Sequence, residues 1–318
     1  MEENIKVSVI VAVYNAEKFI EKCMDSIVSQ TLKEIEILVM NDGSTDNTKE
    51  KLRKYERDER VVIINKENEG STKSRNKALK MCRGKYIVEF DGDDYLEDNK
   101  ALEILYEECE KNNFDILMFD YYKENILTGE KQYCSSITLE EKEVSKYNYI
   151  LDMLNHNGDG MWCKIHRRDI IEKNNILFLE NLFSYGDTVF SIEAGYYSNK
   201  IGKINKAFYN YVQHKNQITK NVSIEKVAEA EYIQLLELEK LFLKKEDPNW
   251  EEYLKAVRLK IYYFYLKRKN KNLPYYQEIK RRYLKENKKW LFNSKYYKNW
   301  ILKNKIKFFI RCFFINIK

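Results

Sequence analysis

The chain has 318 residues, of which 44% are hydrophobic and 33% charged, with 2 prolines and 10 glycines. This length allows a sizeable core in one or two domains, and the composition excludes a disordered, collagen-like or low-complexity chain. No apolar run approaches the roughly 20 residues that cross a bilayer, and the first residues lack the apolar stretch of a secretory signal. We therefore expect a protein that is neither transmembrane nor exported.

The net charge of +6 conceals two parts of opposite charge. Residues 251–318 carry 20 lysines and arginines against 4 acidic residues, a net charge of +16, whereas residues 1–250 carry a net charge of −10. Aromatic residues are interleaved with the basic ones. Such a segment suits a polyanionic surface, either nucleic acid, an anionic membrane or a phosphorylated substrate.

The six cysteines lie far apart without a C-x-x-C pair, and only three histidines accompany them. This spacing disfavours a structural zinc site and a disulfide framework. We expect the cysteines to be reduced and to serve as small buried residues, as in proteins of a reducing cytoplasm.

Apolar runs alternate with amphipathic stretches from Val7 to Phe119, a pattern typical of a sheet with helices on its faces. It predicts strands at 7–13, 35–40, 61–64 and 86–90, and helices at 17–30, from near residue 46, and at 71–81. Asp46 is the expected N-cap of the second helix, and Gly84 marks the end of the third. Beyond residue 120 the pattern is irregular until helical periodicity returns at Val222 and continues to about Lys245, before a break at Pro248. We expect two domains, 1–221 and 222–318.

Polar residues follow three of the predicted strands: residues 14–15, 41–42 and 91–94. If the strands are parallel, these segments meet at one edge of the sheet, where open α/β sheets bind their ligands. The acids Asp91, Asp93 and Asp94 crowd like charges at that edge. A divalent cation with oxygen ligands, Mn²⁺ or Mg²⁺, would balance them, although a solvated acidic turn is the alternative.

Short motifs follow one another along the chain in a distinctive order and spacing. In the first 120 residues they are V-S-V-I-V-A-V-Y-N (7–15), S-Q-T (29–31), N-D-G-S-T-D (41–46), N-E-G-S-T-K-S-R-N (68–76) and D-G-D-D (91–94). Later motifs are W-C-K (162–164), Y-G-D-T-V-F (185–190) and Y-N-Y-V-Q-H-K-N-Q-I-T (209–219). In order and spacing, this series resembles the motifs of family 2 glycosyltransferases. The resemblance implies a GT-A fold, an α/β Rossmann-like architecture with a mostly parallel central sheet, followed here by a helical basic region.

The same resemblance implies a nucleotide-diphosphate sugar donor, a divalent metal and inversion at the anomeric carbon. Tyr14 would lie against the nucleobase, Asp42 would accept from a base nitrogen, and Arg75 would help to hold the nucleotide. Asp91 and Asp93 would bind the metal, with Asp93 as the closest ligand. The full set of expected donor-binding residues is Ala12, Val13, Tyr14, Asn15, Asp42, Arg75, Asp91, Gly92, Asp94, His214 and Lys215.

Inversion requires a general base opposite the diphosphate, and the resemblance makes Asp187 the candidate. Gly186 replaces the glutamate of the family's usual E-D pair, which leaves Glu180 or Asp159 as alternatives, and Asp187 could instead be a helix cap. His214 and Lys215 would reach the diphosphate from a loop that closes over the donor. Two further departures from the family pattern are Ala12 in place of proline and Gln217 in place of serine.

We therefore expect an inverting, metal-dependent glycosyltransferase that transfers a sugar, from a UDP-sugar first of all, to a hydroxyl of a growing surface glycan. That glycan is a capsule, lipopolysaccharide, exopolysaccharide or lipid-linked oligosaccharide. The expected partners are the donor, a glycan or lipid-linked acceptor, and the inner face of the cytoplasmic membrane, with no nucleic acid. The alternative from another class is a basic membrane- or RNA-binding protein on a catalytically degenerate scaffold.

Overall fold

The computed structural model describes residues 4–137, 139–156, 160–180, 186–215 and 223–267. The chain divides into two compact units, and the division falls between Val222 and Ser223.

The first unit begins with four parallel strands in the order β3-β2-β1-β4. Their bounds are Val7–Val13 for β1, Ile35–Asp42 for β2, Val61–Lys66 for β3 and Tyr86–Asp91 for β4. Every residue of β1 and β2 is buried, as expected of strands covered on both faces. The predicted α/β arrangement of this region is confirmed.

Four helices connect and cover these strands: α1 (Ile20–Val28), α2 (Thr48–Leu52), α3 (Ser71–Leu79) and α4 (Ala101–Asn112). The second helix begins two residues after Asp46, the expected N-cap. The Asp46 carboxylate nevertheless accepts from the backbone N–H of Thr48 at 3.0 Å. It also accepts from the backbone N–H of Glu17 at 3.0 Å, which joins the segments that precede α1 and α2.

The sheet continues with six further strands: β5 (Tyr95–Leu96), β6 (Ile116–Asn125), β7 (Lys131–Cys134), β8 (Glu143–Val144), β9 (Lys164–Arg167) and β10 (Ile201–Gln213). Its order is β3-β2-β1-β4-β9-β6-β10-β5, with β7 on β6 and β8 on β10. Strand β9 is antiparallel to both β4 and β6, and β10 is parallel to β6. The sheet is thus parallel at its start and mixed beyond β4, and β1, β2, β4, β6 and β10 end at the same edge.

Three more helices belong to this unit: α5 (Lys146–His156), α6 (Arg168–Lys173) and α7 (Gly186–Tyr197). The main core packs apolar side chains of β1, β2 and β4 against α1 and α4. Cys23, Cys82, Cys109 and Cys163 are buried free thiols, and no disulfide joins the cysteines in the described ranges.

The second unit contains α8 (Ile224–Phe242) and α9 (Trp250–Lys267). Ser223 caps α8, since its hydroxyl accepts from the Lys226 N–H at 3.3 Å. The helices are joined by an ion pair of 2.7 Å between Arg258 and Glu239. No helix in the described part of the chain is both long and apolar enough to span a membrane. Most of the basic C-terminal segment lies outside the described residues.

Candidate active site

A cleft of about 840 Å³ opens at the edge where the parallel strands end. Its lining comes from the ends of β1, β2 and β4, the first turns of α3 and α7, and the residue that follows β10. The predicted site residues that line it are Ala12, Val13, Tyr14, Asn15, Asp42, Arg75, Asp91, Gly92, Asp93, Asp187 and His214. Segments far apart in sequence therefore meet in one place, as the parallel strand order requires.

Tyr14 and Asn15 form the start of the cleft at the end of β1. The Tyr14 side chain is 47% exposed, which makes its ring available for stacking. Asn15 has a left-handed backbone with φ of 50°. Its side-chain oxygen accepts from the Thr45 N–H at 2.8 Å, and its own N–H donates to the Ser44 hydroxyl at 3.0 Å. These two bonds hold the loops after β1 and β2 together.

Asp42, at the end of β2, is buried and fully engaged with the loop before α3. Its carboxylate accepts from the backbone N–H groups of Glu69 at 3.0 Å and Gly70 at 2.9 Å, and it pairs with Lys66. Burial acts to raise the pKa of Asp42, but the Glu69 amide and Lys66 outweigh it and hold the pKa below its usual value. The Ser74 hydroxyl adds a further hydrogen bond that lowers the pKa, so the surrounding chain holds the charged carboxylate in place.

Carboxylate oxygens of Asp91, Asp93 and Asp94 lie within 4.8 Å of one another. Burial, together with the charge of Asp93, raises the pKa of both Asp91 and Asp94, although Arg75 opposes this at Asp91. Asp94 points away from the cleft, because its carboxylate accepts from the Tyr209 hydroxyl and the Val212 N–H, both at 2.7 Å. Of the three acids, Asp91 and Asp93 line the cleft.

These residues fit a divalent cation. Clustered carboxylate oxygens are the donors that Mg²⁺ and Mn²⁺ prefer. Burial raises the pKa of Asp91, so its charged form is disfavoured in the free protein, and a bound cation would favour that form.

His214 follows β10 and reaches the same acids. Its Nε2 lies 2.8 Å from Oδ2 of Asp93. The imidazole stacks on the Phe19 ring with 4.6 Å between centroids, which fixes its plane. Lys215, predicted to share this role, is exposed and does not line the cleft.

Arg75 lies on α3 and is 15% exposed. Its Nε is 3.0 Å from a carboxylate oxygen of Glu89, and its Nη2 pairs with Oδ1 of Asp91. Glu89 is buried in β4, and burial raises its pKa to about 8 even though Arg75 acts in the opposite direction. Arg75 therefore contacts the acids of β4 directly, in addition to facing the cleft.

Asp187 stands in the first turn of α7 and lines the cleft. Its carboxylate accepts from the N–H of Thr188 at 3.0 Å, so Asp187 also accepts a backbone hydrogen bond at the start of the helix. A side chain at position 186 would place its Cβ 3.3 Å from a methyl carbon of Thr72. This contact is tight, and a small shift of Thr72 would be needed to accommodate it. Glu180 is exposed and outside the lining, and Asp159 lies outside the described residues.

Sequence reasoning missed an aromatic wall of the cleft. Trp162, in a short 3-10 turn, stacks on Tyr209 at 4.8 Å and on Tyr211 at 5.5 Å between centroids. Phe178 and Met161 complete this side. The motifs W-C-K and Y-N-Y contain three of these rings, but their stacking depends on the order of strands β9, β6 and β10. Glu89 was also missed, since it lies within an otherwise apolar strand.

Comparison with known proteins gives a consistent result. The family model "Glycosyl transferase family 2" matches residues 8–174. The uncharacterized glycosyltransferase EpsJ of Bacillus subtilis is 33% identical over 67% of this chain, which spans 62% of that protein's length. The putative glycosyltransferase EpsH of the same organism is 31% identical, over 80% of this chain and 74% of EpsH.

Among solved structures, S. aureus TarS 1–349 in complex with UDP superposes with a TM-score of 0.67 at 26% identity, over 85% of this chain and 77% of TarS. The curled mixed sheet is thus that of GT-A proteins. Since the family model covers more than half of the chain, and since EpsH matches along most of its own length, the chain belongs to glycosyltransferase family 2 and is a glycosyltransferase.

Proposed function

We propose that the protein transfers a sugar, with inversion, from a UDP-sugar to a hydroxyl of a surface glycan, using Mn²⁺ or Mg²⁺. The observation that carries the proposal is the meeting of Asp91, Asp93 and Asp187 in one cleft with Tyr14 and Asp42. The paired acids Asp91 and Asp93 together with the further acid Asp187 match the two requirements of the reaction: stabilising the leaving diphosphate, and deprotonating the acceptor.

The donor nucleotide would occupy the side of the cleft formed by the ends of β1 and β2. Tyr14 offers a half-exposed ring for a base, and the Asp42 carboxylate, which borders the cleft, would accept from a base nitrogen. TarS has been solved with UDP bound, which supports uridine as the base here.

Asp91 and Asp93 would hold the divalent cation, with His214 beside Asp93. When bound, the cation supplies positive charge that stabilises the departing diphosphate. Arg75 keeps one oxygen of Asp91 engaged, and Phe19 keeps the His214 ring in plane, so the chain fixes the position of both groups.

Asp187 would act as the general base. Its carboxylate oxygen takes the proton from the acceptor hydroxyl as that hydroxyl attacks the anomeric carbon. The N–H of Thr188 engages Oδ1 of this carboxylate, and a carboxylate has further acceptor positions that could take a substrate proton.

The decisive experiment incubates the protein with a panel of nucleotide sugars and Mn²⁺ and measures hydrolysis and transfer. Release of UDP from at least one UDP-sugar, abolished by a chelator, is the expected result. Failure of every donor to bind or react would overturn the proposed donor class.

The acceptor and the membrane contact form a separate part of the proposal. Residues 295–318 alternate aromatic with basic residues, a pattern suited to a membrane interface in which each cation near an anionic surface contributes about 1 kcal/mol. We therefore propose a lipid-linked glycan acceptor at the inner face of the cytoplasmic membrane. This segment lies outside the described residues, so the proposal rests on the sequence.

Co-sedimentation with anionic liposomes tests the membrane contact. A chain that ends at Ser294 should lose binding at low salt but retain donor hydrolysis. Equal sedimentation of the full and shortened chains would contradict the membrane role of the segment.

A further inference from the structure

Glu89 is a buried acid that borders the cleft and pairs with Arg75. Its side chain is 2% exposed, lies in β4 and borders the cleft. Neither carboxylate oxygen has a hydrogen-bond donor with good geometry among the described residues. Its close contact is the ion pair with Nε of Arg75 at 3.0 Å. Burying a carboxylate that lacks well-placed hydrogen-bond donors costs free energy. A functional role for Glu89 would explain why the chain keeps this group at the cleft.

The guanidinium of Arg75 contacts two acids of one strand. Glu89 and Asp91 are two residues apart in β4, so their side chains point to the same face of the sheet. Nε of Arg75 faces Glu89, while Nη2 pairs with Oδ1 of Asp91. Only one oxygen of Asp91 takes part in this arrangement.

Without Glu89, the Arg75 guanidinium could instead form a bidentate pair with Asp91. Arginine and carboxylate groups readily form two parallel N–H···O bonds, which use both carboxylate oxygens. Such a pair would occupy the second oxygen of Asp91, whose carboxylate lies within 4.8 Å of those of Asp93 and Asp94. The cation proposed for this cluster would then lose a ligand atom or compete with Arg75 for it.

We propose that Glu89 is a positioning residue of the metal site, which holds Arg75 to one oxygen of Asp91 and so keeps the other available for the divalent cation. This inference rests on the proposed function, because it assumes that the cluster binds a cation. It adds a residue that acts through Arg75 and touches neither donor nor cation.

Mn²⁺ binding in the presence of UDP, followed by electron paramagnetic resonance, tests the inference without any turnover. Glu89→Leu should raise the dissociation constant of Mn²⁺ by about tenfold or more, the range for groups that orient metal ligands. Glu89→Gln keeps an oxygen acceptor toward Arg75 and should lose less than about threefold. Because Glu89→Leu also breaks the ion pair with Arg75, its melting temperature is measured alongside to show that the variant is folded under the conditions of the binding assay.

A double-mutant cycle separates this role from a direct one. In an Arg75→Met background, or Arg75→Lys if the first does not fold, Glu89→Leu should change Mn²⁺ affinity by less than about twofold. An equal loss in both backgrounds would overturn the inference, and so would wild-type Mn²⁺ affinity in Glu89→Leu.

Glu36 provides a matched control. It is also a buried glutamate of a β-strand, pairs with Nε of Arg83 at 2.9 Å and does not border the cleft. Glu36→Gln should leave Mn²⁺ affinity unchanged. If the wild-type protein bound no Mn²⁺ with UDP, the proposed metal dependence would fail; if it bound normally and Glu89→Leu did too, only the role of Glu89 would fail.

Discussion

The two ends of the cleft differ in how their charges are balanced. At the end of β2, Asp42 receives two backbone N–H groups and pairs with Lys66, and its pKa lies below the usual value. At the end of β4, burial raises the pKa of Glu89, Asp91 and Asp94, although Arg75 opposes the shift at Glu89 and Asp91. Groups of the chain itself compensate the charge of Asp42, whereas the acids of β4 are crowded in a buried place where their charged forms are disfavoured.

This difference indicates which end depends on a ligand. Fixed hydrogen bonds make the nucleotide side a preformed surface whose loss should appear as lower stability. Crowded acids destabilise the free protein and become favourable only with a cation present. Variants at the two ends should therefore fail in different ways.

The largest effect is expected for Asp93→Ala. Loss of this acid should abolish turnover while the fold remains intact, and the melting temperature of the free protein should stay level or rise because a crowded charge is removed. Activity and thermal melting are measured on the same sample. Asp98→Ala, an aspartate that pairs with Lys206 outside the cleft, serves as the control. Full activity of the wild-type protein in the presence of a chelator would contradict the metal role.

Asp187→Asn should reduce transfer by roughly 10² or more, because the amide keeps the size of the side chain but does not accept a proton. Binding of UDP, measured by calorimetry, should persist. If UDP no longer bound, or if transfer stayed near the wild-type rate, Asp187 would not be the base and Glu180 would be the next candidate among the described acids.

Asp42→Asn tests the end of the cleft at β2, where hydrogen bonds of the chain hold the carboxylate in place. The amide replaces one acceptor oxygen with a donor that faces Lys66, and charge-assisted bonds of this kind contribute about 1.5–3 kcal/mol. The free energy of unfolding should therefore fall by about that amount, with or without Mn²⁺. Urea unfolding measures it. A loss of stability seen only with Mn²⁺ present would remove the contrast between the two ends.

Two buried groups should shape the pH dependence of stability at mildly acidic pH, and they act in opposite directions. Burial raises the pKa of Glu89 to about 8 from an ordinary value near 4.5, so this group adds stability as pH falls from about 8 toward 4.5. Because the pKa of Asp42 is lowered, its contribution is lost only as pH falls through that lowered value. His166 is buried between β4 and β6, and burial lowers its pKa to about 3 from an ordinary value near 6.5. His166 should consequently subtract stability as pH drops below about 6.5, against the gain from Glu89.

At pH 5 the difference for His166 is about 2 kcal/mol. His166→Leu should remove this loss, so the melting temperature of the variant relative to the wild-type protein should rise as pH falls from 7 to 5. An unchanged slope in the variant would assign the acid sensitivity to other groups.

Much of the first half of the fold could be predicted from sequence because buried parallel strands are continuous apolar runs, as in β1 and β2. The meeting of Tyr14, Asp42 and Asp91 then follows from strand direction alone. Asp93 and Asp94 could not be told apart in this way, since adjacent residues in a turn point in different directions. The packing of Glu89 against Arg75 depends on how α3 lies on the sheet, and no local pattern encodes that.

Trp162 gives the cleft an optical property of its own. It is the only one of the chain's four tryptophans before residue 223, and its ring lies nearly parallel to that of Tyr211, with an interplanar angle of 3°. Since the ring borders the cleft, a nucleotide sugar that enters should alter its emission. With Trp250, Trp290 and Trp300 replaced by phenylalanine, fluorescence would report occupancy of this cleft alone, in real time and without a label.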